Sequence, residues 1–117
     1  MILIIDDDEI MCECVAKACG KKAEVRSFGN AIEAMAEIDK GIVPDLIFLD
    51  VLLDGPDGFT FLNELVSYSD TGRIPVVIIT SLNLEGKDLA EYGVVGILDK
   101  DTMKPEEILN YVEKYTN

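Results

Sequence analysis

The sequence predicts a single α/β domain, a doubly wound five-stranded parallel sheet with helices on both faces. Three observations lead there. Apolar runs alternate with segments of helical apolar spacing five times along the 117 residues. The first, third and fourth runs are hydrophobic almost continuously rather than at alternate positions, the pattern of strands covered on both faces. No repeat and no Pro/Gly/Ser linker divides the chain, and its length suits one packed core.

Ile2 to Ile5 is the first strand, ending at Asp6-Asp7-Asp8-Glu9. A helix is expected from Glu9 to Cys19, stopped by Gly20, with Met11, Cys14, Val15 and Ala18 facing the core and Cys12 outside it. Ala23 to Phe28 is a weaker second strand, closed by Gly29-Asn30. Asn30 and Glu33 resemble a capping box, and Ala31, Ala34, Met35 and Ile38 give the second helix its inner face up to about Gly41. The third strand is Leu46 to Leu49, within Pro44-Asp45-Leu46-Ile47-Phe48-Leu49-Asp50. The turn-rich stretch Leu52 to Gly58 leads to a third helix with Phe59, Leu62, Leu65 and Val66 as its buried stripe. The fourth strand lies in Ile74 to Ser81 with Thr80 at its polar end. A short helix near Leu84 to Tyr92 precedes the fifth strand, Val94 to Asp99, and Lys100. Pro105 opens the last helix, Glu106 and Glu107 occupy its first turn, and Ile108, Leu109 and Val112 face inward; Met103 and Ile108 are placed as a hydrophobic staple.

Charge and composition narrow the function. With 23 acidic and 10 basic residues the net charge is −13, a field that opposes nucleic-acid phosphates and anionic lipid and favours cations and basic partner surfaces. No window approaches the ~20 apolar residues of a membrane span and no signal peptide opens the chain, so a cytoplasmic protein is expected. Cys12, Cys14 and Cys19 sit within eight residues, without a second cluster or any histidine, and read as reduced thiols. The lack of histidine also means that a phosphoryl group would have to come from elsewhere than this chain.

In such sheets ligands bind beyond the carboxyl ends of the strands, where this chain collects Asp6, Asp7, Asp8, Asp50, Thr80 and Lys100. Each group alone is ordinary: an Asp in a turn, a Thr at a strand end, a Lys at the surface. Together the carboxylates repel unless a cation joins them, and an all-oxygen ligand set points to Mg²⁺. A hydroxyl and an ammonium on neighbouring strands supply what the remaining oxygens of a phosphoryl group need. The arrangement predicts phosphoryl transfer to Asp50, with Thr80 and Lys100 binding oxygens and the metal offsetting charge.

Along the whole chain these residues resemble response-regulator receiver domains. The matching motifs are Ile2 to Asp8, Pro44 to Asp50, the Asp57-Gly58 pair, Ile74 to Ser81, and Lys100. The resemblance implies the flavodoxin-like strand order 2-1-3-4-5, an order general to that family rather than one read from spacing. It implies Asp50 as phosphoryl acceptor, Asp6 and Asp7 as the metal-binding pair with Asp7 the direct ligand, and the Leu52 carbonyl as a further ligand. Thr80 is implied as the switch hydroxyl and Lys100 as the phosphate-pairing lysine. A histidine kinase or histidine phosphotransfer protein would donate the phosphoryl group, and a downstream protein or effector domain would read the modified face.

Departures from the family pattern bear on function. Asp54 stands where a proline is common, and Asp101 stands where many members have a cis proline, so a trans Lys100-Asp101 bond is expected. Ile97 replaces the aromatic residue that swings with the switch hydroxyl. Leu52 and Leu82, which by resemblance flank the phosphoryl group, cannot hydrogen-bond a water through their side chains, so a long-lived acyl phosphate is expected. Two other classes stand beside this reading: a receiver-fold binding module that works without phosphorylation, and a small phosphohydrolase with an aspartyl-phosphate intermediate. All five side-chain groups being present argues against the first. The absence of a cap domain argues against the second. The chain reaches Asn117 without an effector domain, as a stand-alone receiver or one cut from a longer protein would.

Overall fold

A computed structural model describes residues 1–20, 23–51, 58–81 and 89–116. Five strands, β1 (Ile2–Ile5), β2 (Val25–Phe28), β3 (Leu46–Leu49), β4 (Val76–Thr80) and β5 (Val94–Asp99), form one sheet in the order β2-β1-β3-β4-β5, all pairs parallel. Among the described residues four α-helices accompany them: α1 (Glu9–Cys19), α2 (Ala31–Asp39), α3 (Gly58–Val66) and α4 (Pro105–Tyr115). The strand order that the resemblance implied is the one observed.

Alternation along the central strands divides the core in two. Ile2 and Ile4 of β1, Leu46 and Phe48 of β3, and Val77 and Ile79 of β4 pack under α1 and α4, with Val15, Cys19, Ile108 and Val112 above them. Leu3, Ile5, Ile47, Leu49, Val76 and Ile78 point to the opposite side, under Ala31, Ala34 and Ile38 of α2 and Phe61, Leu62 and Leu65 of α3. Because both sides are covered, every residue of β1, β3 and β4 is buried, which explains why these strands are apolar at successive positions. Each such side chain contributes about 1.5–3 kcal/mol on full burial.

Side-chain facing departs from expectation in three helices. In α1 Cys14 is exposed, whereas Cys12 is half-buried and Cys19 fully buried. Met11, Val15 and Ala18 do pack on the core as expected, but Cys12, Ala16 and Cys19 join them and Cys14 does not. In α3 Phe61 is buried in place of Phe59, which is only partly covered, and Val66 is exposed. In α4 Ile108 and Val112 are buried, but Tyr111 and Tyr115 pack against the core where Leu109 was expected. Gly96 on β5 makes room for Tyr111: a Cβ there would collide with the tyrosine hydroxyl and ring. β2 begins at Val25 rather than Ala23. Of the segment expected as a helix near Leu84 to Tyr92, a 3-10 turn at Ala90–Tyr92 is seen, and residues 82–88 lie outside the described residues. Met103 and Ile108 do join one cluster across the start of α4, as a staple requires.

Candidate functional site

Backbone ladders hold two aspartates side by side at the carboxyl edge of the sheet. The Asp50 N–H donates to the Ile5 carbonyl at 2.9 Å, and the Asp6 N–H to the Phe28 carbonyl at 3.0 Å. Each residue is 4% exposed, so little water screens the two charges. Lys100 relieves them. Its Nζ lies 2.8 Å from Asp50 Oδ2 and 3.0 Å from Asp6 Oδ2, bridging residues from three strand ends. The lysine is itself positioned by its N–H, which donates to the Thr80 carbonyl at 3.1 Å. Thr80 is buried at the end of β4; since Leu49 pairs with Ile78, Asp50 lies level with Ile79 and Thr80 one residue beyond.

Asp7 is exposed and completes a group with Asp6 and Asp50 whose ligand oxygens lie within 4.8 Å of one another. Burial pushes the Asp6 carboxyl above its ordinary value, only partly countered by the Asp8 N–H and Lys100 that hydrogen-bond to it. At Lys100 burial favours the neutral amine, but hydrogen bonds to Asp50 and Asp6 outweigh it and raise the pKa. The donor set is all oxygen, partly buried and open on the Asp7 side, which fits a hard divalent cation that keeps some of its water. The nearby thiol of Cys12 does not compete: it donates to the Asp6 carbonyl at 3.4 Å, and burial together with the Asp6 and Asp8 charges pushes it up to about 11.

Of the groups expected at this edge, Asp6, Asp7, Asp50 and Lys100 converge, with Thr80 beside them. Asp8 does not join them. Its Oδ1 accepts from the Ile10 and Met11 N–H groups at 3.0 and 3.2 Å, capping α1. An acid directly before a helix start is an N-cap signal, and that signal was present in Asp8-Glu9. Leu52, Asp54, Asp57 and Leu82 lie outside the described residues, and with them the expected carbonyl ligand and the two flanking leucines. The Lys100-Asp101 bond is trans, as expected. Gly58 has a role that periodicity does not reveal: a Cβ there would lie 2.6 Å from the Val51 Cα and 3.0 Å from the Asp50 carbonyl oxygen. Only glycine lets α3 start so close to the end of β3.

Comparison with known proteins agrees with this geometry. A family model described as the response regulator receiver domain matches residues 2–113. A protein-glutamate methylesterase/protein-glutamine glutaminase of Oleidesulfovibrio alaskensis is 29% identical over 114 residues, 92% of this chain; the chain spans 31% of that relative's length. Among solved structures, the NtrX receiver domain from Brucella abortus superposes with a TM-score of 0.82 at 26% identity, covering 98% of this chain and 97% of that one. A response regulator solved in its Mn²⁺-bound form gives 0.75 at 27% identity, covering 97% and 88%.

Proposed function

The chain belongs to the response regulator receiver domain family, and from that premise we propose that it accepts a phosphoryl group on Asp50 from the phosphohistidine of a partner kinase or phosphotransfer protein. The observation that carries this reading is the Lys100 ammonium lying between the Asp50 and Asp6 carboxylates at the ends of three strands. An Asp50 oxygen attacks phosphorus, the bond from phosphorus to the donor imidazole nitrogen breaks, and that imidazole takes up a proton as it leaves. Lys100, held in place before transfer, pairs with the phosphoryl oxygens as Asp50 becomes an acyl phosphate. Asp6, Asp7 and Asp50 hold Mg²⁺ in this reading, with the Leu52 carbonyl as a further ligand by family resemblance. Bound Mg²⁺ supplies the positive charge that the crowded carboxylates and the incoming phosphoryl oxygens require. That a similar response regulator has been solved in an Mn²⁺-bound form is in keeping with a divalent cation in this reading.

The modified state is read by a partner protein or a linked effector domain. Phosphorylation draws Thr80 and Lys100 toward the phosphoryl oxygens and shifts a pre-existing equilibrium; with Ile97 in place of an aromatic residue, the change centres on the loops after β3 and β4. The relative's named methylesterase activity is not carried over, since the match covers 31% of that protein. The chemistry proposed for this chain is its own phosphorylation and the slow reversal of it. The test is incubation with Mg²⁺ and acetyl phosphate followed by intact mass. Wild type should gain one phosphoryl group, Asp50→Asn none, and wild type without divalent cation little. A gain that persists in Asp50→Asn would overturn the assignment.

A further inference from the structure

A groove of about 280 Å³ runs between α2 and α3, on the sheet face away from α1 and α4. Its apolar lining comes from Ala31, Ile32, Met35 and Phe61, and its rim carries Asp39 and Glu64. Ile32 is 64% exposed, although neighbouring positions of α2 bury Ala31 and Ala34. A single exposed aliphatic residue is ordinary, but Ile32 also lines the cleft and so extends its apolar lining out to the surface. The volume lies at the lower edge of cavities that enclose small-molecule ligands, and suits one or two side-chain anchors better than a metabolite.

Charge identifies the occupant. Within α2 and α3 the charged residues are Glu33, Glu37, Asp39 and Glu64, all acidic. Glu37 is matched by Arg26 and Lys40, but Asp39 and Glu64 form no ion pair among the described residues. We propose that this groove docks a basic amphipathic helix of a partner protein, its apolar side chains seated against Met35 and Phe61 and its lysines or arginines set against Asp39 and Glu64. A second copy of this chain would bring a net charge of −13 to the same rim, and a nucleic acid would be repelled by it. The site is distinct from the acceptor carboxylates and does not depend on their phosphorylation.

The probe is a synthetic leucine–lysine helix of about 18 residues, long enough to hold its structure once bound, titrated into the ¹⁵N-labelled chain. Amide shifts should concentrate on 31–39 and 58–66. Two double variants, Asp39→Lys/Glu64→Lys in the groove and Glu91→Lys/Glu106→Lys away from it, change net charge equally. The groove variant should weaken binding at least tenfold and the remote one twofold or less, and Ile32→Ser should weaken it about threefold. Equal losses in the two double variants would mean binding to the overall negative field and overturn the proposal. A concentration-dependent dimer abolished by Ile32→Ser would give the groove to a second copy and overturn it equally.

Discussion

Lys100 holds two buried carboxylates with one ammonium, and that imbalance governs how the site responds to substitution. Removing one partner of a fully buried pair costs about 3–5 kcal/mol. Here the lysine side chain keeps 15% of its exposure, so Lys100→Met should cost less, about 2 kcal/mol by the same reasoning. Urea unfolding would measure it, and adding Asp6→Asn should recover part of the loss by removing the repulsion left behind. An unchanged midpoint in Lys100→Met would contradict the pairing. Cys19 makes a second residue-scale prediction. Burial pushes its thiol from the ordinary 9.0 to about 11, so the folded chain holds a proton that the unfolded chain has already released across that interval. Stability should therefore fall as pH rises through that window, and Cys19→Ala should flatten the decline. A slope unaltered by the substitution would count against it. Asp50 and Lys100 could be placed from the sequence because strand ends are marked by the close of an apolar run. The cysteines of α1 could not: Met11, Val15 and Ala18 pack on the core as their spacing suggests, but Cys12 and Cys14 flank that stripe on either side, and only packing against α4 and the sheet covers Cys12 and leaves Cys14 exposed.

At the scale of elements, the same ambiguity affected α3, where Phe59, Phe61, Leu62, Leu65 and Val66 supply apolar residues on more than one face. The strands were clearer. Burial on both sides of β1, β3 and β4 demands apolar residues at every position, and few other elements of that length do. The edge strand β2 was blurred because Arg26 and Ser27, on opposite faces, are both exposed and leave little pattern. What no periodicity could show is the junction of β3 with α3. Gly58→Ala should gain about 0.5–1 kcal/mol of intrinsic helix preference but force Val51 and the Asp50 carbonyl apart, and such overpacking costs about 1–3 kcal/mol. The expected result is a net loss of stability with slower phosphorylation, because the acceptor's own backbone is displaced. Gly29→Ala, where a Cβ meets nothing within 4 Å, is the matched control and should leave both unchanged. Equal behaviour of the two variants would show that close approach at Gly58 is unimportant.

For the whole molecule, parallel topology is what turns four separate strand ends into one site. Asp6, Asp50, Thr80 and Lys100 are far apart in sequence and adjacent only because β1, β3, β4 and β5 are neighbours running the same way. A net charge of −13 adds a long-range attraction for divalent cations and for basic protein surfaces. Cation binding to the folded site should then raise the melting temperature with Mg²⁺ concentration, and Asp7→Asn should diminish the rise. An equal rise in that variant would place the cation elsewhere. Which carboxylate becomes phosphorylated can be read directly. Borohydride reduces an acyl phosphate to an alcohol and leaves free carboxylates intact, so treating the phosphorylated chain and sequencing its peptides by mass locates the modified side chain. Reduction is expected at Asp50 alone; reduction at Asp6, at Asp7 or at any other acid, with Asp50 untouched, would contradict Asp50 as the acceptor.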